Sequence, residues 1–153
     1  MSDFKQLSRS VKGLIVLVTG AASGMGRATA RVFAAEGAKV AVTDVSAEGA
    51  QEVTDAITAD GGTAKAWALD VADPQAITRV VGEISSHFGG LDIVVNNAGI
   101  SVRLAIDDEG YDEAWSRAIA VMLTAHPRII RVALPHLRRS KCPRIVNIAS
   151  TEA

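Results

Sequence analysis

The segment from Leu14 to Gly26 constrains this chain more than any other. Leu14-Ile15-Val16-Leu17-Val18 is a continuous apolar run of strand length. It lacks the alternation of a half-buried strand, so it belongs in a sheet covered on both faces. It leads directly into Thr19-Gly20-Ala21-Ala22-Ser23-Gly24-Met25-Gly26, a glycine-spaced turn that opens a helix. Between a strand and a helix, the backbone N–H groups of such a loop and the helix N-terminus can hold a pyrophosphate. Gly20 then permits the tight turn, Gly24 removes a Cβ where the ligand approaches, and Gly26 lets helix and strand pack closely. Ser23 and Met25 flank the same contact. No Gly-Lys-Ser/Thr closes the loop, so it is not a P-loop.

The same alternation continues along the chain. Strands are expected at Lys39–Thr43, Thr63–Leu69, Leu91–Val95 and Arg144–Ala149. Helices are expected from Gly24 to Glu36, after an N-cap at Ser46, and after Asp73-Pro74, where Ile77, Val80, Val81, Ile84 and Phe88 share a face. From Asp112 a long helical pattern places Trp115, Ile119, Met122, Ile130, Ala133 and Leu137 near one face, with Pro127 interrupting it. Strands alternating with helices imply an α/β fold with a Rossmann-like, doubly wound parallel sheet. Residues 1–12 read as a polar leader and 13–153 as a single incomplete dinucleotide-binding domain.

Composition excludes several classes. At 153 residues, 48% hydrophobic and with a net charge of −1, the chain is long enough for one core and too apolar for intrinsic disorder. The single cysteine, Cys142, forms no internal disulfide, so a disulfide-stapled secreted fold is excluded and a reducing, cytoplasmic compartment follows. Lys12, the apolar run and Ala28-Thr29-Ala30 imitate a signal peptide, but the run is short, late and better explained by the glycine loop. No stretch approaches the ~20 consecutive apolar residues of a membrane span. Up to position 113 there are 9 basic and 16 acidic residues, and beyond it 7 basic and one acidic. Arg138, Arg139 and Lys141 fit a helix C-terminus, where cations complement the dipole. Without interleaved aromatics, no nucleic-acid partner is expected. His126 and His136 have no metal-ligand spacing, so no metal site is expected either.

Asp44 ends the second strand, where an acid accepts hydrogen bonds from ribose hydroxyls and repels a 2′-phosphate. Neither Ser23 nor Val45 supplies a cation there, so NAD is expected rather than NADP. The other reading of Asp44 is a local cap ahead of Ser46.

These residues together resemble the short-chain dehydrogenase/reductase family in its common single-domain form. The resemblance rests on Thr19-Gly20-x-x-x-Gly24-x-Gly26, Asp44, Asp70-Val71, Asn96-Asn97-Ala98-Gly99 and Arg144-Ile145-Val146-Asn147-Ile148-Ala149-Ser150. It implies that Asp70 and Val71 line an adenine pocket. It further implies that Asn97, Ala98 and Gly99 flank the cofactor near the ribose and nicotinamide, and that Ser150 is the active-site serine. The implied reaction is hydride transfer between the nicotinamide and a small alcohol or carbonyl substrate, in a protein that is a homo-oligomer when complete.

Two departures qualify this. In the family a tyrosine, with a lysine four residues later, manages the proton. Here the only tyrosine is Tyr111, followed at that spacing by Trp115, and the sequence given ends at Ala153 without the pair. The sheet is therefore expected to stop after the fifth strand and the chain to be inactive alone, leaving Val146 and Ile148 uncovered. A non-catalytic NAD-binding or dimerising module is the alternative, and a methyltransferase-like nucleotide binder a more distant one. Secondly, Met122 stands where the family has a helical asparagine of the proton relay. Ser101, Val102 and Arg103 are the expected contributors to a substrate rim, with Arg103 either meeting an anionic group or simply solvated.

Overall fold

The computed structural model describes residues 9–150. Most of the expected leader and the last three residues of the expected domain lie outside that range. Where the leader is described it is not detached: Val11 packs on the core, and Leu14 N–H donates to Val11 O at 3.0 Å.

Five strands and their connecting helices follow in strict alternation: β1 (Ile15–Thr19), α1 (Gly24–Ala35), β2 (Lys39–Asp44), α2 (Ala47–Ala59), β3 (Thr63–Ala68), α3 (Pro74–Phe88), β4 (Ile93–Asn96), then α4 (Tyr111–Ile119), a π turn (Ala120–Thr124), α5 (Ala125–Leu137) and β5 (Arg144–Asn147). All pairings are parallel, in the order β3-β2-β1-β4-β5. This is the expected doubly wound sheet, with β1 in the middle and Val16 opposite both Val40 and Ile93.

The pleat divides the core. Ile15, Leu17, Ala41 and Val94 face α3 and α5, where they meet Ile77, Val80, Val81, Ile84 and Ile129. Val16, Val18, Val40, Val42, Ile93 and Val95 face α1 and α2 and meet Ala30, Ala34, Val53 and Ile57. Small alanines on α1 let that helix lie close to the strands. Local signals act as the sequence implies. Ser46 Oγ accepts from Gly49 N–H at 3.1 Å, Asp73 Oδ1 accepts from Gln75 N–H at 2.8 Å ahead of Pro74, and Gly89 ends α3 at φ 90°. Strand β4 begins two residues later than expected. Leu91 is buried but outside the ladder, because Asp92 Oδ2 accepts from Ile15 N–H at 2.8 Å.

The long helix departs most from expectation. Its buried face is Ala118, Val121, Ala125, Ile129, Ala133 and Leu137, whereas Trp115 and Met122 are exposed. From Val121 onward those buried residues recur at steps of four, which would drift by about 40° each on an ideal 3.6-residue helix. The π turn, where Ala125 N–H donates to Ala120 O, widens the helix and helps keep them on one face. It also precedes Pro127, whose ring would otherwise press on the carbonyl of Leu123 four residues back. The interruption expected from Pro127 therefore exists, but upstream of the proline. From Tyr111 to Leu137 the helix runs for 27 residues, with a most apolar window of mean hydropathy 1.2. It is thus long and apolar enough to span a bilayer by length and composition, contrary to expectation. In the fold, its buried residues form part of the sheet's core.

Strand β5 pairs with β4 alone among the described residues, leaving Ile145, Val146 and Ile148 exposed.

Candidate functional site

Because the chain winds outward from β1 to one side through β2 and β3, and resumes on the other side at β4, the loops after β1 and β4 part. The crevice so formed lies at the carboxyl ends of the strands, where open α/β sheets bind ligands. A cleft of about 90 Å³ opens there, lined by residues including Gly20, Asp44, Asp70, Val71, Ala98 and Gly99.

The glycine loop is fixed by neighbours on both sides. Ala21 N–H donates to Thr43 O at 3.0 Å, and Ala22 N–H donates to Asp44 Oδ2 at 3.0 Å. Gly20 turns at φ 64°, and a Cβ on it would lie 2.7 Å from Ala98 Cα. A Cβ on Gly26 would run into the Gly20 carbonyl oxygen and Asn97 Nδ2. The space beside Gly24 is open, as a ligand cradle requires. Ser23 occupies the N-cap of α1 but makes no side-chain cap bond, unlike Ser46 and Asp73 on the next two helices. The first-turn N–H groups of α1 thus retain their affinity for an anion. Met25, beside them, is 68% exposed. Ser23, Gly24, Met25 and Gly26 stand at this helix start rather than in the cleft lining.

Thr19 connects the two halves of the crevice. Its buried hydroxyl donates to Val95 O at 3.3 Å and accepts from the N–H groups of Asn97 and Ala98, both at 3.0 Å. Asn97 serves the same junction. Its Nδ2 donates to Thr19 O at 2.9 Å and Gly20 O at 3.1 Å, using both amide protons and leaving only Oδ1 for a ligand. The resemblance implies that Asn97 lies beside a cofactor; in the structure its amide braces the loop.

Asp44 also works locally, its Oδ1 accepting from Ser46 N–H at 3.0 Å. Each carboxylate oxygen keeps a lone pair for a ribose hydroxyl. On the neighbouring strand, where Leu69 N–H donates to Asp44 O at 2.8 Å, Arg117 Nη2 donates to Asp70 Oδ1 at 3.1 Å and Oδ2 at 2.9 Å. Burial pushes the Asp70 carboxyl upward, but the Ala72 N–H and the Arg117 guanidinium outweigh it and hold it below the usual carboxylate range. Arg117 was not identifiable as a site residue while Trp115 and Met122 defined the helix's inner face. One turn before Val121, both of them cleft-lining residues, it follows from the face the helix really presents.

Met122 places its sulfur 4.0 Å from where a Gly99 Cβ would stand, at the inner end of the cleft. Ser150 is exposed beyond β5. Tyr111 opens α4 and stacks on Trp115, ring centroids 6.4 Å apart. Ser101, Val102 and Arg103 are exposed and do not line the cleft, which Ile100 does. His136 Nδ1 lies 2.8 Å from Ser85 Oγ and 2.9 Å from Arg139 Nη2, joining α3 to α5. Cys142 Sγ accepts from Arg144 Nη2 at 3.2 Å.

A parallel sheet of this order with an uncapped helix start, an acid ending β2 and a cleft at the switch point defines a dinucleotide-binding α/β protein. A family model described as short chain dehydrogenase matches residues 14–153. The chain is 38% identical over 141 residues to the 3-oxoacyl-(acyl-carrier-protein) reductase FabG of Salmonella typhimurium, covering 92% of this chain and 56% of that protein. It is 35% identical to a D-threitol dehydrogenase of Mycolicibacterium smegmatis, covering 92% and 54%. Among solved structures, a short chain dehydrogenase from Mycobacterium avium aligns with a TM-score of 0.82 at 39% identity, covering 92% and 53%. A 7α-hydroxysteroid dehydrogenase complexed with NADH and 7-oxo glycochenodeoxycholic acid aligns with a TM-score of 0.86 at 29% identity, covering 92% and 54%. The chain belongs to the short-chain dehydrogenase family, whose members use nicotinamide cofactors, and it spans about half the length of the curated relatives it matches.

Proposed function

We propose that this chain forms the cofactor-binding portion of an NAD-dependent oxidoreductase acting on a small alcohol or carbonyl compound. The observation that carries this reading is Asp44. Its carboxylate is tied to the glycine loop through Ala22 and to the start of α2 through Ser46, and lines the cleft with acceptor capacity to spare. A carboxylate so placed welcomes ribose hydroxyls and repels a 2′-phosphate. Arg117, the one cation lining the cleft among the described residues, is engaged by Asp70. NAD is therefore favoured over NADP.

The residues suit the cofactor in this way. The start of α1, with Ser23, Gly24, Met25 and Gly26, would hold the pyrophosphate. Asp44 would hold the adenosine ribose, and Asp70 and Val71 would take the adenine. Ala98, Gly99 and Asn97 Oδ1 would flank the inner ribose. When bound, the nicotinamide supplies the hydride acceptor or donor. Ser150 would orient the substrate oxygen. Tyr111 opens α4 stacked on Trp115 and does not line the cleft, so the chain alone is expected not to turn over. Calorimetric titration with NADH and NADPH tests the reading: saturable binding that favours NADH supports it.

A second reading is a non-catalytic NAD-binding or dimerising module. Met122 favours it, since a thioether beside Gly99 cannot relay a proton as an amide does. A cytoplasmic location and homo-oligomeric assembly complete the proposal. They are supported by the unpaired Cys142 and by the exposed apolar residues of β5.

A further inference from the structure

The outer end of the cleft carries a feature that the dinucleotide motifs do not include. Asp70 leaves β3 just where the sheet ends, and Arg117 reaches it from α4, 47 positions on in the chain. Both line the cleft, together with Leu69, Val71 and Val121. The pairing is lopsided. One guanidinium nitrogen, Nη2, serves both carboxylate oxygens, at 3.1 and 2.9 Å, while Nη1 and Nε have no hydrogen-bond partner among the described residues. Asp70 is meanwhile held from its own side by the Ala72 N–H at 2.9 Å. A pair at this level of exposure contributes little to stability as a surface salt bridge. Its geometry is better suited to a ligand: a planar group pinned along one edge keeps its other donors and its face for a flat, nitrogen-rich partner.

We infer that Arg117 is a positioning residue for the adenine end of the dinucleotide, holding Asp70 toward the cleft and presenting its own free guanidinium edge as that end's wall. The inference rests on the reading of the cleft as an NAD site and adds to it a residue on the long helix. It has a directional consequence. Loss of Arg117 should weaken whatever the adenine half contributes and leave the nicotinamide half untouched. A merely structural salt bridge would affect both halves or neither.

Titration of the protein with NADH, AMP and reduced nicotinamide mononucleotide separates these cases. Arg117→Met should weaken AMP and NADH about ten-fold, equivalent to the loss of one good polar contact, with no change for the mononucleotide. Arg117→Lys should recover part of the loss, because it keeps a charge for Asp70 but not the planar edge. Asp70→Asn combined with Arg117→Met should be no worse than the more damaging single change, since the two act as one unit. Unchanged AMP affinity in Arg117→Met, with NADH still bound by the unaltered protein, overturns the inference alone. Parallel weakening of all three probes with a lowered melting temperature overturns it too, because it marks a folding effect. If the unaltered protein binds neither NADH nor AMP, the reading of the cleft falls and the inference with it.

Discussion

Replacing Thr19 by valine should separate the crevice's two halves without changing its shape. The side chain is buried, and its hydroxyl oxygen is, among the described residues, the sole acceptor given to the Asn97 and Ala98 N–H groups, both at 3.0 Å. Valine is nearly isosteric, so little packing is lost, but two backbone donors are left without an acceptor and Val95 O loses a donor. Each unsatisfied donor costs about 1–3 kcal/mol, so the loss of the acceptor for both should cost about 2–6 kcal/mol. Domains of this size are typically stable by only about 5–15 kcal/mol. At roughly 2–4 °C per kcal/mol for a chain of this length, the melting temperature should fall by about 4–24 °C, read by circular dichroism. NADH affinity should fall as well, because the Asn97-Ala98-Gly99 segment loses its anchor to β1. Thr19→Ser, which keeps the oxygen, is the control and should lie much closer to the unaltered protein. A valine variant that melts within about 2 °C of the original, or a serine variant as damaged as the valine, would refute the role given to the hydroxyl.

Other consequences can be checked separately. Burial, and then the Arg139 charge, hold the His136 imidazole below its ordinary value of 6.5. The unfolded chain therefore binds a proton that the native one resists, and stability should fall as pH drops below about 6.5 and level off beneath the depressed native value. His136→Gln should flatten that slope in pH-dependent thermal melts. Asp44→Asn removes a charge-assisted acceptor of about 1.5–3 kcal/mol, so NADH binding should weaken about ten-fold or more while NADPH loses its repulsion; an unchanged NADH-to-NADPH ratio in titration would contradict this. Val146→Lys should reduce self-association through the exposed β5 edge, read as a larger monomer fraction by light scattering.

The sheet was legible because its signals are local: continuous apolar runs for buried strands, Ser46 and Asp73 for helix starts, glycines at the loop. The long helix was misread because the periodicity assumed was that of an α-helix. Around the π turn at Ala120–Thr124 the buried residues are Ala118, Val121 and Ala125, whereas Trp115 and Met122 are exposed. Arg117 was hidden by the same error. The bracing role of Asn97 was not legible, because motif spacing carries nothing about where an amide's protons go. Thr19 sat in plain view inside the glycine motif; its three hydrogen bonds join residues 76 to 79 positions apart, which no local pattern encodes.

If the crevice between the β1 and β4 loops is a site for NAD, isothermal titration of the protein with NADH, NADPH and S-adenosylmethionine will show it. The expected result is one saturable NADH site, NADPH weaker by about ten-fold or more, as a contact of 1.4 kcal/mol or more implies, and no heat from S-adenosylmethionine. No saturable NADH binding by the folded chain, or tighter binding of NADPH than of NADH, would contradict it.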